Sequence, residues 1–208
     1  MGVPDLAAGH GHGYEVVASE LVYQSWVISV RRDEVRMPEG TTATRDVVCH
    51  PGAVGVVAWD GSRLLLITQY RHPVRRRLAE IPAGLLDLTG EPALVAAQRE
   101  LAEEAGLAAD TWHVLVDTLT SPGMTDEAIR IYLARDLHEV ERDIQGHEET
   151  ELTAEWVELA DAVRRVLDGT VENAMACVGI LAVDRAARDG FVGLRGPDSP
   201  WPARPSTV

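Results

Sequence analysis

The chain has 208 residues, 46% of them hydrophobic, which suits one cored domain with a sizeable extra element. Its 19 basic and 33 acidic residues leave a net charge of −14, a surface that repels nucleic-acid backbones and anionic membranes and so excludes both as partners. The same charge repels phosphate-bearing small molecules, so handling one requires metal ions or a local arginine cluster.

Residues 1–13 read as a disordered tail with no basic start or apolar run of a signal peptide. His10 and His12 within it carry no metal signal beyond being two histidines. Residues 14–50 alternate with a period of two, as at Trp26, Ile28 and Val30 against Val27, Ser29 and Arg31. With a turn at Pro38-Glu39-Gly40 and a further strand around Thr41–Cys49, this predicts a small antiparallel β-domain. A buried strand follows at 53–58, a hairpin turn at Asp60-Gly61 and a returning strand at 63–70. The Arg75-Arg76-Arg77 run beyond it reads as an exposed loop.

The clearest helix covers 92–105, with Pro92 suited to its first turn and Gly106 to its stop. Leu94, Ala97, Gln98, Leu101 and Ala105 share one face. Strands are expected at 112–119 and 128–134 with the loop Ser121–Glu127 between them. After an acidic loop at 145–152 come a short strand around Trp156 and helices over 158–168 and 172–189. Residues 191–208 are Pro-rich and read as an extended tail. All basic residues are arginine, which excludes a lysine Schiff base or a Walker-type lysine. Cys49 and Cys177 have no metal-type spacing, as in an ordinary reduced cytoplasmic protein. No apolar stretch approaches the ~20 residues of a membrane helix.

On the 92–105 helix, Glu100, Glu103 and Glu104 stand at i, i+3 and i+4, which puts three carboxylates on one side. Their mutual repulsion is tolerable where hard divalent cations neutralise it, and oxygen ligands suit Mg²⁺ or Mn²⁺. Arg99 beside them can hold a carboxylate through a bidentate pair. A glutamate-rich helix alone is usually a solvated face. The wider run changes that reading: Gly84, six residues, Glu91, seven residues, then Arg99-Glu100-Leu101-Ala102-Glu103-Glu104-Ala105-Gly106-Leu107.

From Glu91 onward this run resembles the Nudix box of the Nudix hydrolases at every defining position. The family spacing from the first glycine to the first glutamate is one residue shorter, which places a bulge in the loop before the helix and leaves the helical carboxylates in register. The stretch Glu80-Ile81-Pro82-Ala83-Gly84 and a proline 15 residues past Leu107, Pro122, resemble the ADP-ribose pyrophosphatase branch. So do the N-terminal strands, and the resemblance spans roughly 14–190.

The resemblance implies an α+β fold, an α/β/α sandwich with a mixed sheet over 51–190. An N-terminal β-domain over 14–50 precedes it, exchanged between the subunits of a homodimer. It implies metal-dependent hydrolysis of the diphosphate of ADP-ribose to AMP and ribose 5-phosphate. The alternatives are another nucleoside diphosphate sugar or an oxidised nucleoside triphosphate, and, as a non-enzyme, an ADP-ribose-binding regulator. The implied metal ligands are Glu100, Glu104, Glu103 and the carbonyl of Ala83, with Mg²⁺ or Mn²⁺ as the ion. Arg99 is grouped with them as catalytic. The implied base is Glu149 in the loop His147–Glu151, also placed near the metal, with Glu148 and Glu151 as alternatives. Substrate contacts are implied for Arg71, Glu80, Gly84 and Glu127, for Gly123, Met124 and Asp126 in the loop around Pro122, and for Arg45 reaching across the dimer.

Overall fold

The computed structural model describes residues 13–142 and 152–205. In chain order they form β1 (Glu15–Gln24), β2 (Ser29–Arg36), β3 (Thr42–Cys49), β4 (Ala53–Ala58), β5 (Arg63–Arg71), β6 (Arg76–Glu80), β7 (Ala83–Leu85), α1 (Ala93–Ala105), β8 (Leu107–Leu119), β9 (Ala128–Glu139), β10 (Thr153–Glu158), α2 (Leu159–Leu167) and α3 (Ala174–Arg188). They fall into two compact units. One runs to His50 and takes in Ser121–Asp126; the other comprises Pro51–Thr120 and the chain from Glu127 onward.

The first unit is the antiparallel sheet β1-β2-β3. The alternation expected straight through Trp26–Arg31 is interrupted by a turn. The Ser25 N–H donates to the Ile28 carbonyl at 2.8 Å, and the Ile28 N–H donates back to the Ser25 hydroxyl at 3.3 Å. A serine that bonds its own backbone neighbours competes with the strand ladder, so Trp26 caps a hairpin and is 95% exposed. The Ser121–Asp126 loop joins this unit through its backbone. Val48 N–H donates to Met124 O at 2.8 Å, and the Asp126 carboxylate accepts the His50 N–H at 2.9 Å.

The second unit holds a mixed sheet, β7-β4-β9-β8, and an antiparallel one, β10-β5-β6. In the mixed sheet only the β4–β9 pair is parallel. Alternation along β4 and β9 sorts the core onto two faces. Val57, Ile129, Ile131 and Leu133 pack with Ala176, Ile180 and Val183 of α3, while Val54, Val56, Tyr132 and Ala134 pack with Ala96, Ala97 and Leu101 of α1. This is the α/β/α sandwich with a mixed sheet expected from the sequence. Gly55 and Gly179 let α3 lie close to β4: a Cβ on Gly55 would stand 2.4 Å from the Met175 sulfur, and one on Gly179 3.1 Å from Val57.

Three further features differ from the sequence reading. Arg76 and Arg77 are exposed, but they open β6 rather than a loop; pairing with β5, Arg71 against Arg76 and Gln69 against Leu78, overrides their low strand preference. Strand β8 begins at Leu107 because β9 pairs along its whole length, Leu107 opposite Glu139. The C-terminal segment is docked: Arg195 bridges to Val114 in the backbone and to Asp117 by its side chain at 2.7 Å. Arg130 donates to the carbonyls of Ser199 and Pro200, and its guanidinium lies 4.9 Å from the Trp201 ring centre.

Candidate active site

Helix α1 enters the site without a side-chain cap on Pro92 and ends at Gly106, whose φ of 64° is the left-handed conformation that glycine adopts without a Cβ penalty. Its apolar face, Ala93, Ala96, Ala97 and Leu101, is buried in the core. Glu104 is buried on that same side, and Glu100, one turn before it, faces the short strand β7, whose residues Ala83 and Gly84 pair with Gly55 and Val54 of β4.

Glu104 is 8% exposed, and one of its oxygens accepts the Ala83 N–H at 2.9 Å. Burial is the main force pushing its carboxyl up, to about 8. The Ala83 N–H and the charge of Arg71 oppose that rise, while Glu100 and Glu80 add to it. Gly84 is required by Glu100: a Cβ at Gly84 would fall 1.9 Å from Glu100 Oε1, so the carboxylate occupies the space that any other residue would fill.

Arg99 organises the remaining carboxylates. Its Nη1 donates to Glu100 at 2.7 Å and to Glu103 at 2.9 Å, while Nε and Nη2 donate to the two oxygens of Glu91 at 3.1 and 3.2 Å. The Glu91 hydrogen bonds lead in raising the Arg99 pKa above its ordinary value, against burial, and Glu100 and Glu103 add to them. Across the site, Glu80 is 2% exposed and is gripped bidentately by Arg71, Nε to Oε1 at 2.9 Å and Nη2 to Oε2 at 2.6 Å. Arg142 donates to the Glu103 carbonyl at 2.7 Å.

The second unit therefore brings together Arg71, Glu80, Ala83, Gly84, Arg99, Glu100, Glu103 and Glu104. Glu127 belongs to the same unit and accepts the Thr120 hydroxyl at 2.5 Å. Arg45, Gly123, Met124 and Asp126 belong to the first unit. There Arg45 is exposed and donates to the neighbouring Thr44 carbonyl, Met124 is exposed, and a Cβ on Gly123 would meet open space. Glu148, Glu149 and Glu151 lie outside the described residues. Sequence reasoning used Glu91 only as a mark of the box and passed over its grip on Arg99. It also missed Arg142, for which no spacing gives a signal.

Among the described residues no three His, Cys, Asp or Glu side chains converge as a ready-made metal cage, because Arg99 draws Glu100 and Glu103 to itself. The donor set nevertheless fits a hard divalent cation. It consists of carboxylate oxygens, one of them on a buried glutamate that other acids crowd, beside a glycine that leaves room.

A Nudix-domain profile matches residues 50–176, and a profile of the nucleoside diphosphate sugar hydrolase N-terminal domain matches 14–48. The chain is 48% identical over 196 residues to an ADP-ribose pyrophosphatase of Mycobacterium tuberculosis, covering 94% of each protein. It is 34% identical over 167 residues to an ADP-ribose pyrophosphatase of Bacillus subtilis, covering 80% of this chain and 90% of that one. In three dimensions it superposes on the crystal structure of an ADP compounds hydrolase with a TM-score of 0.74, covering 86% of this chain and 97% of that one at 23% identity, a likeness of fold. With the box and its carboxylate cluster on one face of α1, the chain belongs to the Nudix family of hydrolases.

Proposed function

We propose that this chain hydrolyses the diphosphate of ADP-ribose, giving AMP and ribose 5-phosphate, with Mg²⁺ as the working ion. The observation that carries the substrate is the 48% identity, over 94% of each chain, with an ADP-ribose pyrophosphatase. The geometry that supports the reaction is the cluster of Glu100, Glu103 and Glu104 beside Gly84 and Ala83.

Glu100, Glu104 and Glu103, with the Ala83 carbonyl, would hold the metal. A bound divalent ion supplies charge neutralisation of the diphosphate and a lowered pKa for the attacking water. The rest falls to the protein. The Ala83 N–H holds Glu104 in place, and Arg99 keeps Glu100 and Glu103 from splaying apart, braced in turn by Glu91. Arg71, kept in place by buried Glu80, presents a guanidinium suited to a phosphate oxygen. Glu149 takes the proton from water, and Gly84, Glu127, Gly123, Met124, Asp126 and Arg45 are assigned to the substrate. The assembly is a cytoplasmic homodimer formed through the N-terminal sheet.

The test is turnover of a panel of nucleoside diphosphate compounds and triphosphates with Mg²⁺, with products identified. AMP from ADP-ribose with little triphosphate hydrolysis is expected; preference for an oxidised triphosphate would discard this reading. Glu149→Gln should abolish turnover, and near-normal activity would remove Glu149 as the base. A second reading, hydrolysis of another nucleoside diphosphate sugar, is favoured by the broader N-terminal profile and would appear as faster turnover of a different sugar in the same panel. Binding of ADP-ribose without turnover would mark a regulator, a reading that the intact set Arg99, Glu100, Glu103 and Glu104 disfavours.

A further inference from the structure

A second concave site lies in the Nudix unit away from the glutamates. A cavity of about 510 Å³ is lined by Trp59, Asp60, Gly61, Arg135, Asp136, Leu137 and Phe191. Its volume lies within the range of small-molecule sites, roughly 300–1,000 Å³. Strand β4 carries Ala53 opposite Leu85 at its box end and Ala58 opposite Ala134 at its other end. At ~3.3 Å per residue the cavity therefore stands roughly 15 Å along the sheet from the Gly84 end.

Arg135 is the unusual member. The guanidiniums of Arg63, Arg130 and Arg195 in the same unit are each ion-paired. With the described residues the Arg135 side chain forms neither a hydrogen bond nor an ion pair, and its Nε is buried with no partner. The Phe191 ring centre lies 4.8 Å from its guanidinium carbon. A buried N–H without an acceptor calls for an explanation, and an acceptor supplied by a ligand is one. Phe191 covers one face of the guanidinium, which leaves its N–H edge for a planar pair of oxygens.

The walls around it are held in costly conformations. Only three non-glycine residues among those described have positive φ, and two of them line this cavity: Asp136 at 57° and Phe191 at 61°. A bulky aromatic in the left-handed region persists only where its surroundings over-determine it, and such positions gather at ligand sites. Phe191 also meets Trp59 edge to face, ring centres 6.2 Å apart, so the aromatic wall is fixed.

The charges select the ligand. Asp60 is engaged by the Ser62 and Arg63 N–H groups and by the Arg63 side chain, and Asp136 accepts the Thr111 hydroxyl. With Asp60 neutralised by Arg63, Arg135 and Asp136 leave the lining without net charge; a phosphate dianion would bring two uncompensated charges, a carboxylate only one, and an amino acid's own ammonium offsets that one. Asp136 retains lone pairs for an ammonium or hydroxyl donor, and Trp59, Leu137 and Phe191 offer an apolar wall. We propose that this cavity binds a small amino- or hydroxy-carboxylate, its carboxylate on the edge of Arg135 and its apolar body against Trp59 and Phe191.

The test is a titration of the ¹⁵N-labelled full chain, following the amides of 59–61 and 135–137. The probes are L-phenylalanine, L-3-phenyllactate, phenethylamine and ribose 5-phosphate. Saturable shifts from the two carboxylates, with half-saturation in the roughly millimolar range or below, and none from phenethylamine are expected. Arg135→Gln should weaken the carboxylates on the order of tenfold, with turnover at the box unchanged. Arg135→Lys, which keeps the charge and loses the fork, should fall between, and it serves as the reading if Arg135→Gln does not fold. The proposal is overturned by the absence of saturable carboxylate shifts, by their survival in the arginine variants, or by equal binding of phenethylamine or ribose 5-phosphate.

Discussion

Glu104 carries opposite demands on stability and on chemistry. Its carboxyl is pushed up to about 8, first by burial and then by Glu100 and Glu80, so without a cation the group is mostly protonated at neutral pH and the charged form is the costly one. Glu104→Gln keeps an oxygen for the Ala83 N–H and removes the ability to ionise. It should leave Tm unchanged or higher while turnover falls on the order of 100-fold or more, the upper end of what losing a mere supporter of a metal ligand costs. Calorimetry beside a turnover assay reads both, and a large drop in Tm would show that the carboxylate is structural. Gly84→Ala tests the neighbouring contact. The added Cβ would overlap Glu100 at 1.9 Å, and because the clash is with the far end of a side chain, the carboxylate moves rather than the backbone. Turnover should collapse with Tm shifted by less than about 1 kcal/mol equivalent, and wild-type turnover in this variant would reject Glu100's proposed role. The glutamates and Arg99 were legible in the sequence because helical spacing fixes which side of α1 they share. The Arg71–Glu80 pair was legible only as two separate substrate contacts, since nothing in their spacing says that the Arg71 side chain reaches along the β5–β6 pair to Glu80, which stands opposite Ile67.

At the scale of elements, the same distinction governs the fold. Strand β4 and helices α1, α2 and α3 could be read from apolar runs and periodicity, because burial on a sheet or helix face writes itself into local pattern. Strands β6 and β7 and the first half of β8 could not, because pairing with β5, β4 and β9, rather than local pattern, decides them. The C-terminal segment was the largest departure. Its prolines suggest a free extended tail, yet Arg130, 3% exposed, needs carbonyls and a carboxylate to satisfy it, and the tail supplies Ser199, Pro200 and the Trp201 ring. Asp117 is the counter-charge, accepting two hydrogen bonds from Arg130 at 2.8 and 3.0 Å and one from Arg195 at 2.7 Å. Asp117→Ala strands a buried guanidinium and should cost about 3 kcal/mol, roughly 6–12 °C in Tm at this chain length. Burial raises the Asp117 carboxyl, but the two arginines outweigh it and hold it below the usual range. A lowered folded pKa means the stabilisation is complete above the unfolded value, about pH 4, and is lost as pH falls through the folded one. The Tm gap between wild type and Asp117→Asn should therefore be wide at about pH 7 and close at strongly acid pH, below the folded value. A gap that does not depend on pH would mean that Asp117 acts through shape alone.

On the scale of the whole molecule, charge and exposed apolar surface pull in opposite directions. Every residue of β1 is exposed, including Val16 at 57%, Leu21 at 58% and Tyr23 at 55%, and alternation places such residues on both faces of the strand. A strand of this kind in a three-stranded sheet is poorly stable in water unless something covers it, and the proposed homodimer supplies a second copy to do so. Sedimentation should give twice the 22.6 kDa of one chain, with Tm rising with protein concentration. Leu21→Glu with Tyr23→Glu should yield monomer at lower Tm. Salt then separates this interface from one built on ion pairs. Two chains of −14 each repel one another on approach, and that repulsion is screened once the Debye length falls from about 14 Å at ~0.05 M to about 4 Å at ~0.5 M salt. An apolar interface between like-charged chains therefore tightens as salt rises over this range, whereas a salt-bridged one weakens. A dimer that dissociates with added NaCl, or a wild-type chain that sediments as monomer, would count against coverage of β1 by a second copy.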